Sequence, residues 1–115
     1  MIDELDDVGD EAQVRPRKRK LEWEREQELQ DIRDLCDSSP NLVFLWRLLA
    51  ACGMFRSSSW KDPMDMAIAS GKRDIGLWLI AELEEASPDI YVRMKQAAQI
   101  RKERMNERRG NSSYS

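Results

Sequence analysis

Three dipeptides divide this sequence into helices. In Ser39-Pro40, Asp62-Pro63 and Ser87-Pro88, a side-chain oxygen directly precedes a proline. Such an oxygen can accept a hydrogen bond from a free amide at a helix N-terminus, and proline at the first helical position sacrifices no hydrogen bond. No stretch alternates apolar and polar residues as a half-buried strand does. The sequence therefore predicts an all-α protein, with helices that begin at Pro40, Pro63 and Pro88.

Apolar spacing gives the first two of these helices their expected roles. The helix from Pro40 is apolar around nearly its whole circumference and ends before Gly53, which predicts a central core helix followed by a left-handed glycine. The helix from Pro63 keeps three- or four-residue apolar spacing to about Ala86. The residues at this spacing include Met64, Ile68, Ile75, Trp78 and Leu79.

Two further helices complete a bundle of about four. The helix from Pro88 carries apolar residues as far as Ile100. Another helix is predicted from about Lys18 to Asp37, and only its second half has a convincing apolar stripe. The sequence thus indicates one small helical bundle with charged, extended N- and C-terminal arms.

Two glycines interrupt the long helix from Pro63. Gly71 and Gly76 each cost about 1 kcal/mol in a helix interior relative to alanine. Such a cost suggests either a kink or the close approach of another helix, and close packing is the favoured interpretation.

Charge is concentrated at the two ends of the chain. Charged residues make up 36% of the 115 residues, well above the usual fraction of about 25%. We predict a flexible charged arm over residues 1–20, a helical core over 21–100, and a basic helix end and tail over 101–115. The N-terminal arm contains an acidic block followed by a basic run, which is a candidate contact for nucleic acid or a protein partner: Arg15, Arg17, Lys18, Arg19 and Lys20.

The residue types disfavour an enzyme. There is no histidine, the most frequent general base and zinc ligand. Cys36 and Cys52 lie among apolar residues without zinc-ligand spacing, which favours buried structural thiols over metal or catalytic sites. No phosphate-binding glycine loop occurs, and no apolar run approaches the roughly 20 residues of a membrane span. We therefore expect no catalytic residues, no cofactor, no metal and no membrane.

The acidic residues between the last two helices have two interpretations. Glu82, Glu84, Glu85 and Asp89 favour a solvated acidic turn. A patch for a basic partner surface is the alternative.

The segment from Leu45 to Met94 resembles a family of small tailed-phage proteins, typified by a member from a Bordetella podophage. The resemblance rests on ordered motifs: Cys52-Gly53-Met54-Phe55-Arg56-Ser57-Ser58, Asp62-Pro63, Gly71-Lys72-Arg73 and the aliphatic stretch Ile75 to Ile80, followed by Tyr91 and Met94. Ile68 departs from the pattern, because an aromatic residue is expected there. The implied signature positions are Phe55, Arg56, Ser57, Ser58, Gly71, Arg73 and Gly76.

The resemblance implies a minor virion protein without enzymatic activity. It implies a place inside the phage head, at the portal or head–tail connector, and exit with the genome. The expected partners are other virion proteins, the portal first, together with non-specific phage DNA contact. A ring-like homo-oligomer imposed by assembly is expected, with the host cytoplasm as the location during assembly.

The signature residues also have structural interpretations. We expect Phe55 and Trp60 to anchor the connection between helices, and Ser57 to Ser59 to bond open backbone groups. Arg56 and Arg73 either bond carbonyls at helix C-termini or present charge to a neighbouring subunit, and the internal role is favoured.

Two alternatives to a resident virion protein remain open. One is a small DNA-binding packaging or regulatory factor that uses the basic run or the basic end of the last helix. The other is an assembly chaperone or scaffold that is absent from mature particles.

Overall fold

The computed structural model describes residues 11–55 and 62–113, which form four helices. These are α1 (Glu11–Leu35), α2 (Ser39–Ala51), α3 (Pro63–Ala86) and α4 (Ile90–Ser113). No strand occurs in these residues. The predicted all-α class with about four helices is confirmed.

The proline boundaries of α2 and α3 lie where the sequence predicts them, to within one residue. At the start of α3, the Asp62 carboxylate accepts a hydrogen bond from the Met64 amide at 3.0 Å, as a helix cap does. α2 begins at Ser39, and Ser38 before it makes no side-chain cap bond. Proline in the first turn therefore marks both helix starts, whereas a side-chain cap forms only at Asp62.

The start of α4 differs from the prediction by two residues. The Ser87 hydroxyl donates to the Asp89 carboxylate at 2.7 Å, and the Ile90 amide donates to the Ser87 carbonyl at 3.0 Å. Pro88 therefore lies in a turn, and the helix begins at Ile90. The short serine side chain bonds its neighbour in the turn, an alternative that serine often takes.

Helices α1 and α4 extend further into the charged ends than expected. α1 begins at Glu11, so the boundary predicted after Lys20 lies inside a helix, and α4 continues to Ser113. Arginine, lysine, glutamate and glutamine are good helix formers, so dense charge does not interrupt the helices. Residues 14–24 are all exposed, as are residues 102–110.

The main hydrophobic core of the described chain is small. Its centre is formed by Leu49, Leu83, Ile90 and Met94, each at most 1% exposed. The other buried members of this cluster are Cys36, Leu42, Val43, Leu45 and Ala97.

α2 is less enclosed than its apolar circumference predicts. Phe44 is 57% exposed, and Leu48 and Ala51 are exposed with it. The reason lies in the shape of the molecule, because α3 and α4 cover only one side of α2.

The chain forms an elongated, thin layer. Its extents are 78 × 40 × 17 Å and its radius of gyration is 21.3 Å, compared with about 13 Å for a compact domain of 100 residues. A helix with its side chains is about 10–12 Å across, so a 17 Å thickness holds at most two helix layers. Most helices therefore keep one face open.

α3 is continuous through both glycines, and only Gly76 lies at a close contact. A Cβ added at Gly76 would come within 2.8 Å of the Met54 side chain and 2.9 Å of the Cys52 Cβ. At Gly71 no described atom outside its own helix and chain neighbours lies within 4 Å of that position. The close approach predicted at both positions is thus found only at Gly76.

The two glycines make a matched pair for a stability test in dilute protein. We expect Gly76→Ala to lower the free energy of unfolding, because overpacking typically costs about 1–3 kcal/mol and exceeds the gain in helix propensity. We expect Gly71→Ala to raise it by about 0.5–1 kcal/mol, because helix propensity alone changes. Urea denaturation followed by circular dichroism measures both. Equal effects of the two substitutions would contradict this assignment.

Candidate interaction surfaces

Arg25 of α1 bonds three carboxylates, and the two on α3 link the helices. Its guanidinium donates two bonds to Glu82, at 2.9 and 2.8 Å, one to Glu85 at 2.7 Å and one to Glu28 at 2.9 Å. The paired bonds to Glu82 have the two-pronged geometry that arginine offers and lysine does not. This contact fixes where α1 lies along the C-terminal half of α3.

The Arg25 cluster shifts the titration of its members. The hydrogen bonds that Arg25 donates to Glu82, Glu85 and Glu28 raise the pKa of Arg25. The hydrogen bond from Arg25 lowers the pKa of Glu82. The acidic residues near the end of α3 are thus not simply a solvated turn, because Glu82 and Glu85 already have a cation from the same chain.

Two other arginines bond carbonyls at the ends of helices. The Arg33 Nε donates to the Ala86 carbonyl at 2.8 Å, and the Arg93 Nη2 donates to the Cys36 carbonyl at 2.7 Å. Cations commonly bond these carbonyls, which have no partner within their helix. Arg33 thus joins α1 to the end of α3, and Arg93 joins α4 to the end of α1.

Sequence reasoning did not single out Arg25, Arg33 or Arg93. Arg33 lies in the last turn of its helix, a local signal that could have been used. The roles of Arg25 and Arg93 depend on partners 57 residues away along the chain, so no local pattern indicates them.

An aromatic cluster forms around Trp46 of α2. Phe55 stacks on Trp46 with ring centroids 4.4 Å apart, and Tyr91 meets Trp46 edge-on at 5.5 Å. Both geometries are favourable for aromatic pairs. The cluster connects the residues after α2 with the first turn of α4.

The signature positions divide among three locations. Phe55 and Gly76 lie against the turn after α2, where Gly53 has the predicted left-handed conformation with φ of +79°. Arg73 donates to the Gly53 carbonyl at 3.5 Å, a long bond consistent with the internal role. Gly71 lies apart from this turn. Arg56, Ser57, Ser58 and the neighbouring Trp60 lie outside the described residues.

A cavity of about 510 Å³ lies between the end of α2 and the N-terminal half of α3. Its lining includes Ala50 and Cys52 from the α2 side and Ile68 and Ala69 from α3, with Lys72 and Arg73 among its charged residues. The mixture of apolar wall and charge suits a protein side chain as well as a small molecule.

The basic run and the thiols have distinct surroundings. The basic run is exposed on α1 over all five of its cations, Arg15, Arg17, Lys18, Arg19 and Lys20.

The two thiols are buried and unpaired, as predicted for structural cysteines: Cys36 and Cys52. Burial raises the pKa of the Cys36 thiol, and the nearby charge of Arg93 partly opposes that rise.

Across residues 11–55 and 62–113, no group of three or more acidic or cysteine side chains could hold a metal ion. Among the helices in that same part of the chain, none has the length and apolarity to cross a membrane.

Together, the fold and these surfaces define an elongated all-α protein with a small core and exposed charged helices. Residues 43–96 match the family model described as Bbp19-like phage protein. The match covers just under half of the chain, from within α2 to within α4, so this segment is similar to that phage protein family. Neither the curated proteins nor the solved structures contain a match to the chain.

The Arg25 cluster predicts a stability that depends on pH. The pKa of Glu82 in the folded chain is lowered from the usual glutamate value of about 4.3. Glu82 therefore stabilises the fold fully above about pH 4.3, and this stabilisation is lost as the pH falls through the pKa of the folded state. We expect Arg25→Gln to lower the midpoint of thermal unfolding at pH 7, and this difference from the wild type to shrink below about pH 4.

The control for this prediction is Arg25→Lys. It keeps the charge without the two-pronged bond and should lose less stability than Arg25→Gln. Because Arg25 is about a third exposed, added salt should reduce the effect of both substitutions. A difference between wild type and Arg25→Gln that is constant from pH 7 to pH 3 would contradict the assignment.

Proposed function

We propose that this chain is a non-catalytic structural protein of a tailed-phage particle. In this proposal it lies inside the head, in contact with the portal or head–tail connector, and leaves with the genome. The match of residues 43–96 to a phage protein family supports the phage part of this proposal. The position in the particle rests on the motif resemblance and on the shape of the chain.

The observation that carries the structural role is the thin layer with a small core. A 17 Å thickness leaves large apolar side chains exposed, among them Phe44, Ile75 and Trp78. Monomeric soluble proteins expose few contiguous apolar patches of large area, and such patches commonly mark contact sites. A subunit with neighbours in an assembly would cover these side chains, whereas a free monomer leaves them in water.

The ring-like arrangement follows from the same reasoning. The exposed charged ends of α1 and α4 lie outside the small core that joins the helices. In a closed ring each modest contact recurs at every subunit, so weak charged contacts add up. The portal is the expected partner because a ring with an axial channel gives such a subunit repeated sites.

The absence of an enzymatic role is part of the proposal. The chain has no histidine, so neither Cys52 nor Ser70 in the lining of the cavity beside α3 has the most frequent general base beside it. A structural role requires none of these groups.

The test is the protein content of purified particles. We expect mass spectrometry of density-purified virions to detect this polypeptide at a constant ratio to the portal protein. Proheads and finished virions should both contain it, and virions emptied of their genome should have lost it. The major capsid protein provides the internal standard for each preparation.

Two results would exclude this proposal. Absence from both proheads and virions would remove the structural role. Presence in proheads and absence from finished virions would identify an assembly factor instead.

A DNA-binding packaging or regulatory factor is the second candidate, and the exposed basic run favours it. Five cations lie on one short exposed part of α1, where they could neutralise DNA phosphates. We expect any such binding to weaken steeply with salt. The combined substitution Arg17→Ala, Lys18→Ala, Arg19→Ala and Lys20→Ala should reduce both the affinity and the salt dependence.

The matched control for the DNA experiment lies on α4. Substituting Lys102, Arg104, Arg108 and Arg109 by alanine also removes four exposed cations from a projecting helix. An effect confined to the α1 variant would assign the contact to the basic run. Affinity for duplex DNA that does not change between low and high salt would exclude this candidate.

A further inference from the structure

One face of α3 is apolar, exposed and interrupted by a glycine. Met64, Ile68, Ile75 and Trp78 are 68%, 53%, 61% and 61% exposed. Together with Gly71 they follow one another at spacings of four, three, four and three residues, which places all five on one side of the helix. This set, called the α3 face below, spans about four helical turns.

Among the described residues of one copy, no contact explains the glycine in the α3 face. Gly71 costs about 1 kcal/mol in the interior of a helix. Gly76 is explained by its close contact with Cys52 and Met54, but no described neighbour approaches Gly71. A glycine among large apolar residues allows another backbone to approach closely.

We propose that two copies of this chain pair through the α3 face. The two α3 helices lie antiparallel, and the two-fold axis passes at Gly71. In such a pair, a residue before the axis faces the residue at the same separation after it in the second copy.

The arrangement of the α3 face is close to symmetric about Gly71. Met64 lies seven residues before Gly71 and Trp78 lies seven after it. Ile68 lies three before and Ile75 four after. Each copy thus places Met64 against Trp78 of the second copy, and Ile68 against Ile75. The helices come closest at the glycines, where side chains are absent.

The charges beside the α3 face fit the same arrangement. Asp65 and Lys72 lie on the same flank of the face, six residues before and one residue after Gly71. Reversal in the second copy brings Lys72 of one molecule to about 7.5 Å along the helix axis from Asp65 of the other. A lysine side chain spans that separation, and the symmetry forms the ion pair twice. The two Asp74 carboxylates, on the other flank, are about 9 Å apart along the axis and exposed to screening salt.

The size of this contact predicts a weak dimer. A single pair of helices lies at the low end of specific interfaces, near or below about 1,200 Å² in total. Pairing should therefore depend on protein concentration in solution. The proposal does not depend on a position in the phage particle, because it concerns only the surface of α3.

Sedimentation across a range of concentrations tests the pairing. We expect the wild type to move from monomer to dimer as concentration rises. Ile75→Ser should weaken association at least tenfold, whereas Leu77→Ser, which changes an exposed apolar residue on another side of α3, should not. A monomer at every concentration would overturn the proposal, as would equal effects of the two substitutions.

Gly71→Ala gives a test in which two measurements move in opposite directions. It should raise the unfolding temperature of the dilute monomer through helix propensity, and it should weaken the dimer because two Cβ atoms meet at the axis. If Gly71 served only the fold of one copy, Gly71→Ala would change the unfolding temperature and leave the dimer affinity unchanged.

The charge pair has a reversal test. Lys72→Asp should weaken the dimer, and the double variant Asp65→Lys with Lys72→Asp should recover part of the lost affinity. No recovery in the double variant would contradict the antiparallel register.

A cross-link identifies what covers the α3 face. In a pair with its axis at residue 71, Gly71→Cys should weaken reversible pairing as alanine does, but mild oxidation should trap the transient pairs as a disulfide-linked dimer, whereas Leu77→Cys should not form one. Cys36 and Cys52 are buried in each copy, so the wild type gives the background. Circular dichroism confirms that both variants fold. Equal cross-linking of the two variants would mean that a different surface or partner occupies this face, and it would overturn the proposal.

Discussion

The close approach of α3 to the turn after α2 determines which side of α3 faces water. Gly76 admits Met54 and Cys52 so tightly that no side chain fits between them. Residues five positions apart on a helix point about 140° from each other, so contact at Gly76 turns Gly71 away from the core. The apolar residues that share the side of Gly71 are exposed for the same reason. One contact thus fixes both the packed side of α3 and its open one.

Much of the fold could be predicted from the sequence because its signals are local. Proline in the first turn of α2 and α3, the carboxylate of Asp62 before α3, and Gly53 after α2 each act within a few residues. Ser87 was less informative, because its hydroxyl donates to the Asp89 carboxylate and accepts from Arg93, six residues away, rather than from a helix amide. The start of α4 therefore lies two residues later than predicted.

The arrangement of helices into a thin layer could not be predicted in the same way. Apolar spacing identified a face on α3, but that face is the open one, while Leu83, on the side of Gly76, is buried. Apolar residues on a helix mark surfaces that favour burial and do not say whether the cover comes from the same chain. The links made by Arg25 and Arg93 join residues far apart in sequence. Their partners become apparent only once the helices are in place.

The limits of the family match separate the surfaces of this molecule into two groups. The segment 43–96 contains all of α3, including both glycines, and leaves out α1 and most of α4. The proposed pairing through α3 therefore uses the part of the chain that matches the family model. The basic run and the projecting end of α4 lie outside that part. Under this division, pairing through the α3 face and any contact through the charged helices use different parts of the chain, so substitutions can separate the two.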